Sequence, residues 1–354
     1  MKPAAVNVVF QSESFRDHEQ VVFVRDKATG LRAIIAIHDS TLGPAMGGTR
    51  MWPYETEAAA LRDALRLSHG MTYKSAMAGL DLGGGKAVII GDARKDKTPE
   101  LLTAYASYVD RLCGHFITGE DVGMTVADMD LMAKVTPHIR GTTSGHVGDP
   151  SPHTALGVFR GIEAAVRHKL GRNGLGGLKV CIQGLGNVGM ALAELLHAAG
   201  AVLVVADIRE GAVEQAQERL GATSIAADVA HTAEVDVFAP CALGAGLNGR
   251  TIPEMRASIV AGSANNQLES EGDGELLRAR QMLYAPDYVI NAGGVISIAH
   301  DTDGFCFEAM RGDVERIGET LSEIFERASR EGVATSIIAD RMAEERLVSA
   351  RRSA

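Results

Sequence analysis

Val180-Cys181-Ile182-Gln183-Gly184-Leu185-Gly186-Asn187-Val188-Gly189 decides the fold. A short strand-like run meets three glycines spaced Gly-x-Gly-x-x-Gly, and an apolar helical pattern follows from Asn187 to about Ala199. The spacing predicts strand Lys179–Gln183, a tight turn, a helix, and a second strand Val202–Asp207. The first glycine permits the turn, the second lets backbone approach a pyrophosphate, and the third lets helix pack on strand. The helix start then offers free N–H groups and partial positive charge to the phosphates. Asp207, 18 residues after Gly189, ends the second strand. A carboxylate there accepts bonds from ribose hydroxyls and repels a 2′-phosphate, so the unit is expected to take NAD rather than NADP. Arg209 is the one nearby cation that argues the other way, and it is expected to be a solvated surface charge.

Working outward, the pattern stays α/β. Short apolar strands are expected at Val235–Phe238, Ser258–Ala261 and Leu283–Ala285, then a helix with the stripe Val314, Ile317, Leu321, Ile324, Phe325 and Ala328, and another from Ala334 to about Val348. Upstream, Ser151-Pro152 opens a helix with Ser151 as cap, ending in Gly171–Gly177. Earlier still, Gln20–Arg25 and Leu31–His38 flank Thr29-Gly30 as a hairpin, and helices are expected at Thr56–His69, Pro99–Leu112 and Val126–Ala133, with a strand at Ala87–Ile90. The glycine turn begins near residue 180, so about 150 residues precede it, enough for a domain supplying substrate-binding groups.

Composition narrows the function. A net charge of −10 gives no footprint for nucleic acid or an anionic membrane surface. No apolar run reaches the roughly 20 residues of a bilayer span, and Met1–Phe15 lacks the pattern of a signal peptide. Four dispersed cysteines form no metal or disulfide spacing, and His115, His138, His146 and His153 have no zinc spacing, so a cytoplasmic protein without a metal is expected. Glycine stands out: 40 of 354 residues, about 11% against a typical ~7%.

Two lysines are unusual. Lys74, in Gly70-Met-Thr-Tyr-Lys74 after the expected helix, and Lys86, behind Gly83-Gly84-Gly85, are the only lysines between Gly30 and Gly91. Both lie among apolar and glycine residues, where an ammonium loses hydration. A lysine held beside a second cation in such a place acquires a lowered pKa and can act as a base, while the other, still charged, suits a carboxylate. Asp121, in Gly119-Glu120-Asp121-Val122-Gly123, is a candidate partner acid, with Glu120 equally available on spacing alone.

These segments, with Gly43-Pro-Ala-Met46-Gly47-Gly48-Thr-Arg50 before them and Phe238–Gly244, Ala261–Asn266 and Asn291-Ala-Gly-Gly294 after the glycine turn, resemble the Glu/Leu/Phe/Val amino-acid dehydrogenases. The match runs in family order from about Gln20 to Leu347, and leucine dehydrogenase is the branch it is most similar to. The resemblance implies two domains: an N-terminal α/β substrate and oligomerisation domain, residues 1–145 plus about 333–354, and a Rossmann-type NAD-binding domain, 146–332. It implies too that the C-terminal helix returns to the first and that a deep cleft lies between them. It implies that Lys86 activates water and Asp121 moves protons at the amino group, while Lys74 holds the α-carboxylate. Gly47 and Gly48 line the substrate site, with Asn266 contributing from the second domain. Cofactor contacts would come from Thr154, the turn residues Gly184, Leu185, Gly186, Asn187, Val188 and Gly189, and from Asp207, Ile208, Cys241, Ala242, Ala264, Asn265 and Asn291. A side-chain pocket would form around Leu42, Met46, Gly119, Val295 and Ile298.

Glutamate-using members carry lysine where this chain has Met46, and a thioether cannot pair the distal carboxylate, whose unpaired burial is costly. Leucine-specific members carry alanine where this chain has Gly119. Aromatic-using members carry glycine there, and leucine where this chain has Val295. One methylene discriminates by only about 1–3 kcal/mol. The expectation is reversible oxidative deamination of leucine, valine or isoleucine to the 2-oxo acid and ammonia by a homo-oligomer, from dimer to octamer. A phenylalanine or tryptophan substrate is the alternative. A 2-hydroxy-acid dehydrogenase would need an imidazole base and an arginine clamp. His115, His153 and Arg50 exist, but without the glycine-rich setting of Lys86. A non-catalytic NAD-binding protein has no use for two lysines so placed.

Overall fold

A computed structural model describes residues 9–242 and 244–353. The N-terminal residues Met1–Asn7 and Val8, and Leu243 within the Phe238–Gly244 motif, lie outside that range. The chain is α/β throughout and divides into two compact units. One comprises the residues up to Gly148 with Asp301–Phe305 and those from Glu344 onward; the other comprises Asp149–His300 and Cys306–Ala343.

The first unit is built on β1 (Gln20–Arg25), β2 (Arg32–Asp39), β3 (Ala45–Met46), β4 (Thr49–Trp52), β5 (Gly83–Ile90) and β6 (Phe116–Ile117), with α1 (Glu57–Met77), α2 (Pro99–Asp110) and α3 (Val126–Ala133). The sheet order is β1-β2-β5-β3-β6, with β4 also on β5. β1 and β2 form the expected antiparallel hairpin about Gly30, whose φ of +77° suits glycine. β2 is buried along nearly its whole length because both sheet faces are covered. Ile34, Ala36 and Val88 pack under α1, while Ile35, Ile37 and Ile89 pack with Leu102, Tyr105, Met129 and Met132 from α2 and α3.

Helix α1 runs eight residues beyond the expected end at His69 and passes through Gly70. Packing overrides glycine's poor propensity: Ser68, Thr72 and Ser75 are buried against the sheet, and a Cβ on Gly84 would sit 2.1 Å from the Thr72 nitrogen. Lys74 therefore belongs to the last turn of α1 rather than to a following loop. The strand expected at Ala87–Ile90 begins four residues earlier, with Gly83–Gly85 the first residues of β5. On the same side of the unit His18, His38 and His69 stack edge-on, ring centroids 4.8 and 4.6 Å apart.

The second unit begins with α4 (Ser151–Leu170). Pro150, not Ser151, takes the cap position, with no side-chain bond. Then follow β7 (Lys179–Gln183), α5 (Asn187–Ala198), β8 (Val202–Ala206), α6 (Glu210–Leu220), β9 (Thr223–Ser224), β10 (Val237–Pro240), α7 (Thr251–Glu254), β11 (Ile259–Val260), α8 (Glu271–Ala279), β12 (Leu283–Tyr284), α9 (Asp287–Ile290) and α10 (Gly293–Ala299). The sheet is wholly parallel in the order β12-β11-β10-β7-β8-β9. This is the dinucleotide-binding arrangement, with its switch point between β7 and β10. The apolar stripe from Val314 to Ala328 is buried but spans two helices, α11 (Phe307–Glu315) and α12 (Ile317–Glu331), interrupted at Arg316. The final helix α13 (Thr335–Ser353) begins in the second unit and from Glu344 belongs to the first. There Arg346 donates to the carbonyls of Ala76 (2.5 Å) and Leu80 (2.9 Å), and Arg351 pairs with Asp39.

Candidate active site

In the first unit the residues from Ala45 to Thr49 are flanked on both sides. Gly47 and Thr49 donate to the carbonyls of Ile117 (3.1 Å) and Gly119 (2.9 Å), while Ala87 donates to Gly48 (3.3 Å). This strip brings Lys86, on β5, and Asp121, beyond β6, to its two sides. It has to be narrow. A Cβ on Gly47 would lie 1.8 Å from the Gly85 carbonyl, and one on Gly48 2.9 Å from the Asp121 Cβ. Gly85 faces the Phe116 ring at 2.7 Å in the same way. Each of these glycines sits in close internal packing that leaves no room for a side chain.

Across the strip Lys86 Nζ meets Asp121 Oδ2 at 3.0 Å. Lys86 is only 7% exposed. Burial pushes its ammonium below the ordinary lysine value despite the opposing pull of Asp121, and Arg50 lowers it further. Burial alone would raise the Asp121 carboxyl, but Lys86 and Arg50 together hold it below the usual range. A further cation beside Lys86 is Arg50, at 2.9 Å from the same Asp121 oxygen. The sequence offers Arg50 only as a hydroxy-acid clamp, and Asp63, which anchors its other nitrogen at 2.9 Å, carries no sequence signal at all. Lys74 is half-buried and Glu120 exposed. Met46 is buried and, on β3, pairs with Ile117 of β6, two residues before the buried Gly119, while Leu42 is half-buried.

In the second unit the predicted cofactor residues gather at the carboxyl ends of the strands. The three glycines of the turn divide their tasks as expected. Gly184 has φ +102°; a Cβ on Gly186 would meet nothing within 4 Å; one on Gly189 would lie 1.9 Å from the Gly184 carbonyl. Gly186 caps α5 with no side-chain bond, which leaves the helix N–H groups and their positive end open to an anion. Leu185 N–H donates to Asp207 Oδ2 at 2.6 Å. Arg209 is no free surface charge: it pairs with Asp207 Oδ1 at 3.1 Å and donates to the Leu185 carbonyl at 2.9 Å. Chiefly through Arg209, Asp207 is lowered to about 2. Ile208 is fully exposed beside it.

Around this turn, Cys241 donates its N–H to Gln183, and Ala242 packs on Gly184. Asn265 and Asn266 are exposed, Asn266 at φ +51°, and Ala264 is buried beneath them. Asn291 is buried; its amide donates to Ser263 O (3.1 Å) and Asn265 Oδ1 (2.8 Å), while its own Oδ1 has no partner. The start of α10 lies on α4, so that a Cβ on Gly294 would reach within 2.8 Å of Thr154 Oγ1. Val295 and Ile298, one turn apart on α10, are half-buried. An open glycine turn, an uncapped helix start and an orphaned buried acceptor together fit a dinucleotide with a carboxamide at one end.

A buried amine set against a carboxylate, in a chain whose other unit is shaped for a dinucleotide, is the equipment of a nicotinamide-dependent dehydrogenase working on a carbon–nitrogen bond. Comparison with known proteins bears on which one. Residues 18–138 match the model of the Glu/Leu/Phe/Val dehydrogenase dimerisation domain, and 206–336 that of the Glutamate/Leucine/Phenylalanine/Valine dehydrogenases. Leucine dehydrogenase of Bacillus cereus is 49% identical over 98% of this chain and 95% of its own, and valine dehydrogenase of Streptomyces coelicolor 47% identical over 94% and 93%. The crystal structure of L-tryptophan dehydrogenase from Nostoc punctiforme, 47% identical, superimposes with a TM-score of 0.85 over 95% of this chain and 97% of that one. The chain belongs to the Glu/Leu/Phe/Val amino-acid dehydrogenase family.

Proposed function

We propose that the protein catalyses the reversible NAD-dependent oxidative deamination of branched-chain L-amino acids to 2-oxo acids and ammonia. The observation that carries the chemistry is the buried Lys86–Asp121 pair at 3.0 Å. When bound, the nicotinamide supplies the hydride acceptor. Asp121 exchanges a proton with the substrate amino group. Lys86, whose burial makes the neutral amine accessible, removes a proton from water as it attacks the iminium carbon. Lys74 holds the α-carboxylate. The glycine turn and helix α5 hold the pyrophosphate, Asp207 the ribose, and Thr154 and the unpartnered Asn291 oxygen the carboxamide.

Residues 1–145 with about 333–354 serve the substrate and self-association, and 146–332 serve the cofactor. Met46, buried on β3, offers no charge to pair with a distal carboxylate and so supports apolar side chains over glutamate. The similarity to leucine and valine dehydrogenases supports aliphatic substrates. The tryptophan enzyme's similarity keeps aromatic ones as the second reading. The match to a dimerisation domain supports a homo-oligomer.

Turnover of leucine, valine, phenylalanine and tryptophan with NAD and NADP tests the substrate. Lys86→Ala and Asp121→Asn are expected to lower kcat by about 10²–10⁴-fold with NAD binding intact. Near-normal kcat in either sinks the mechanism.

A further inference from the structure

The Lys86–Asp121 pair does not stand alone. Arg50, on β4, places Nε 2.9 Å from Asp121 Oδ2, the same oxygen that Lys86 holds at 3.0 Å. Its Nη1 lies 2.9 Å from Asp63 Oδ2 on α1, and that oxygen also accepts the Tyr54 hydroxyl at 2.6 Å. Arg66 reaches the other Asp63 oxygen at 3.3 Å. The result is a four-member chain of alternating charge, Asp63–Arg50–Asp121–Lys86, with Tyr54 and Arg66 bracing its outer end. Arg50 and Asp121 keep only 23% and 21% of their side-chain surface and Asp63 16%, so these pairs are screened much less than surface ones.

Resting on the reading of Lys86 and Asp121 given above, we propose that Arg50 is a positioning residue for this reaction. Held by Asp63, it fixes the Asp121 carboxylate through Oδ2, turns Oδ1 toward the substrate amino group, and supplies the cation that keeps Lys86 able to shed its proton. The guanidinium is suited to this because its rigid fork reaches two carboxylates at once, where an ammonium is a single point charge. Removing its charge favours the protonated amine at Lys86, since a neighbouring cation is lost. The ascending limb of the kcat/KM profile for oxidative deamination then moves to higher pH.

The test compares wild type, Arg50→Gln, Arg50→Lys and Asp63→Asn as full-length enzyme with leucine and NAD across pH. Arg50→Gln is expected to lower kcat by about 10–100-fold and to shift the ascending limb upward by about one pH unit, with the Kd for NAD unchanged. Arg50→Lys keeps the charge and is expected to restore the limb but only part of kcat. Asp63→Asn, which leaves all three inner members in place, is expected to cost several-fold in kcat. It serves as the reading if Arg50→Gln does not fold. A loss of kcat in Arg50→Gln with an unmoved limb, or wild-type kcat in Arg50→Gln or Asp63→Asn, overturns the proposal. Lys86→Ala and Asp121→Asn run alongside separate the two levels. If they retain turnover, the mechanism itself fails; if they lose it while Arg50→Gln does not, only the role of Arg50 fails.

Discussion

Asp207, proposed above to hold the ribose, has both its oxygens engaged, one by Leu185 N–H and the other by Arg209. The Leu185 bond ties the acid to the glycine turn itself, so the turn and the carboxylate are held in register with one another. The Arg209 pair works against discrimination, because it offsets the negative charge that would repel a 2′-phosphate. Its guanidinium is 60% exposed, so solvent screens the pair in part. Arg209→Ala is therefore expected to raise the ratio of kcat/KM for NAD over NADP, and Asp207→Ser to lower it by about 10–100-fold, the worth of one or two charge-assisted hydrogen bonds. Steady-state kinetics with both cofactors decide it. A sequence reader could place Asp207 from its spacing, but not see that Arg209 folds back two residues onto it.

At the scale of elements, the difference between what was legible and what was not lies in how local each signal is. The β7–turn–α5–β8 unit was read to within a residue, because its glycines, periodicity and acid lie within one short stretch. β3 and β6, two residues each, were not legible. They exist only through pairing with each other and with β5, residues far apart in the chain. The end of α1 was misplaced for the same reason: what carries the helix past Gly70 is contact with Gly84 on another element. Gly84→Ala puts a Cβ against the Thr72 backbone, which cannot give way as a flexible side chain would. It is expected to lower stability by at least about 1–3 kcal/mol, seen as a fall in Tm. The candidate site was legible as residue types, Lys86 and Asp121, but its supporting Arg50 and Asp63 come from β4 and α1 and leave no mark in spacing.

The histidine stack belongs to this scale too, joining β2 to α1. Burial, helped by the neighbouring histidines, lowers His38 to about 3. Burial, with Arg16 and His18, lowers His69 to about 4. The unfolded chain takes up these protons below about pH 6.5. The folded chain does so only near 4 and 3. Their contribution to stability is thus complete above about pH 6.5 and drains away as the pH falls through that window. A His38→Gln variant that stays folded is expected to show a flatter fall of Tm between pH 6 and 4 than the parent.

For the whole molecule, the connectivity matters more than any single contact. The first unit is assembled from three stretches of chain, and its last stretch is the end of α13. Arg346 closes onto the carbonyls of Ala76 and Leu80 at the end of α1, while Arg351 pairs with Asp39 at the end of β2. Deleting residues 344–354 is expected to lower Tm and the yield of folded protein, whereas the Arg351→Ala change alone is expected to cost less, since the buried Asp39 it leaves still accepts from Thr41 N–H at 2.8 Å. Differential scanning of the two variants separates these effects.

That connectivity also sets an order in time. A chain emerging from the ribosome at about 5–20 residues per second usually folds its N-terminal domain first. Here the opening 148 residues are made long before the segment that completes them, while Asp149–Ala343 are nearly all available earlier. The dinucleotide-binding unit can therefore finish folding first, and the unit whose stretches flank it in the chain closes only once Glu344 and the residues after it have been made.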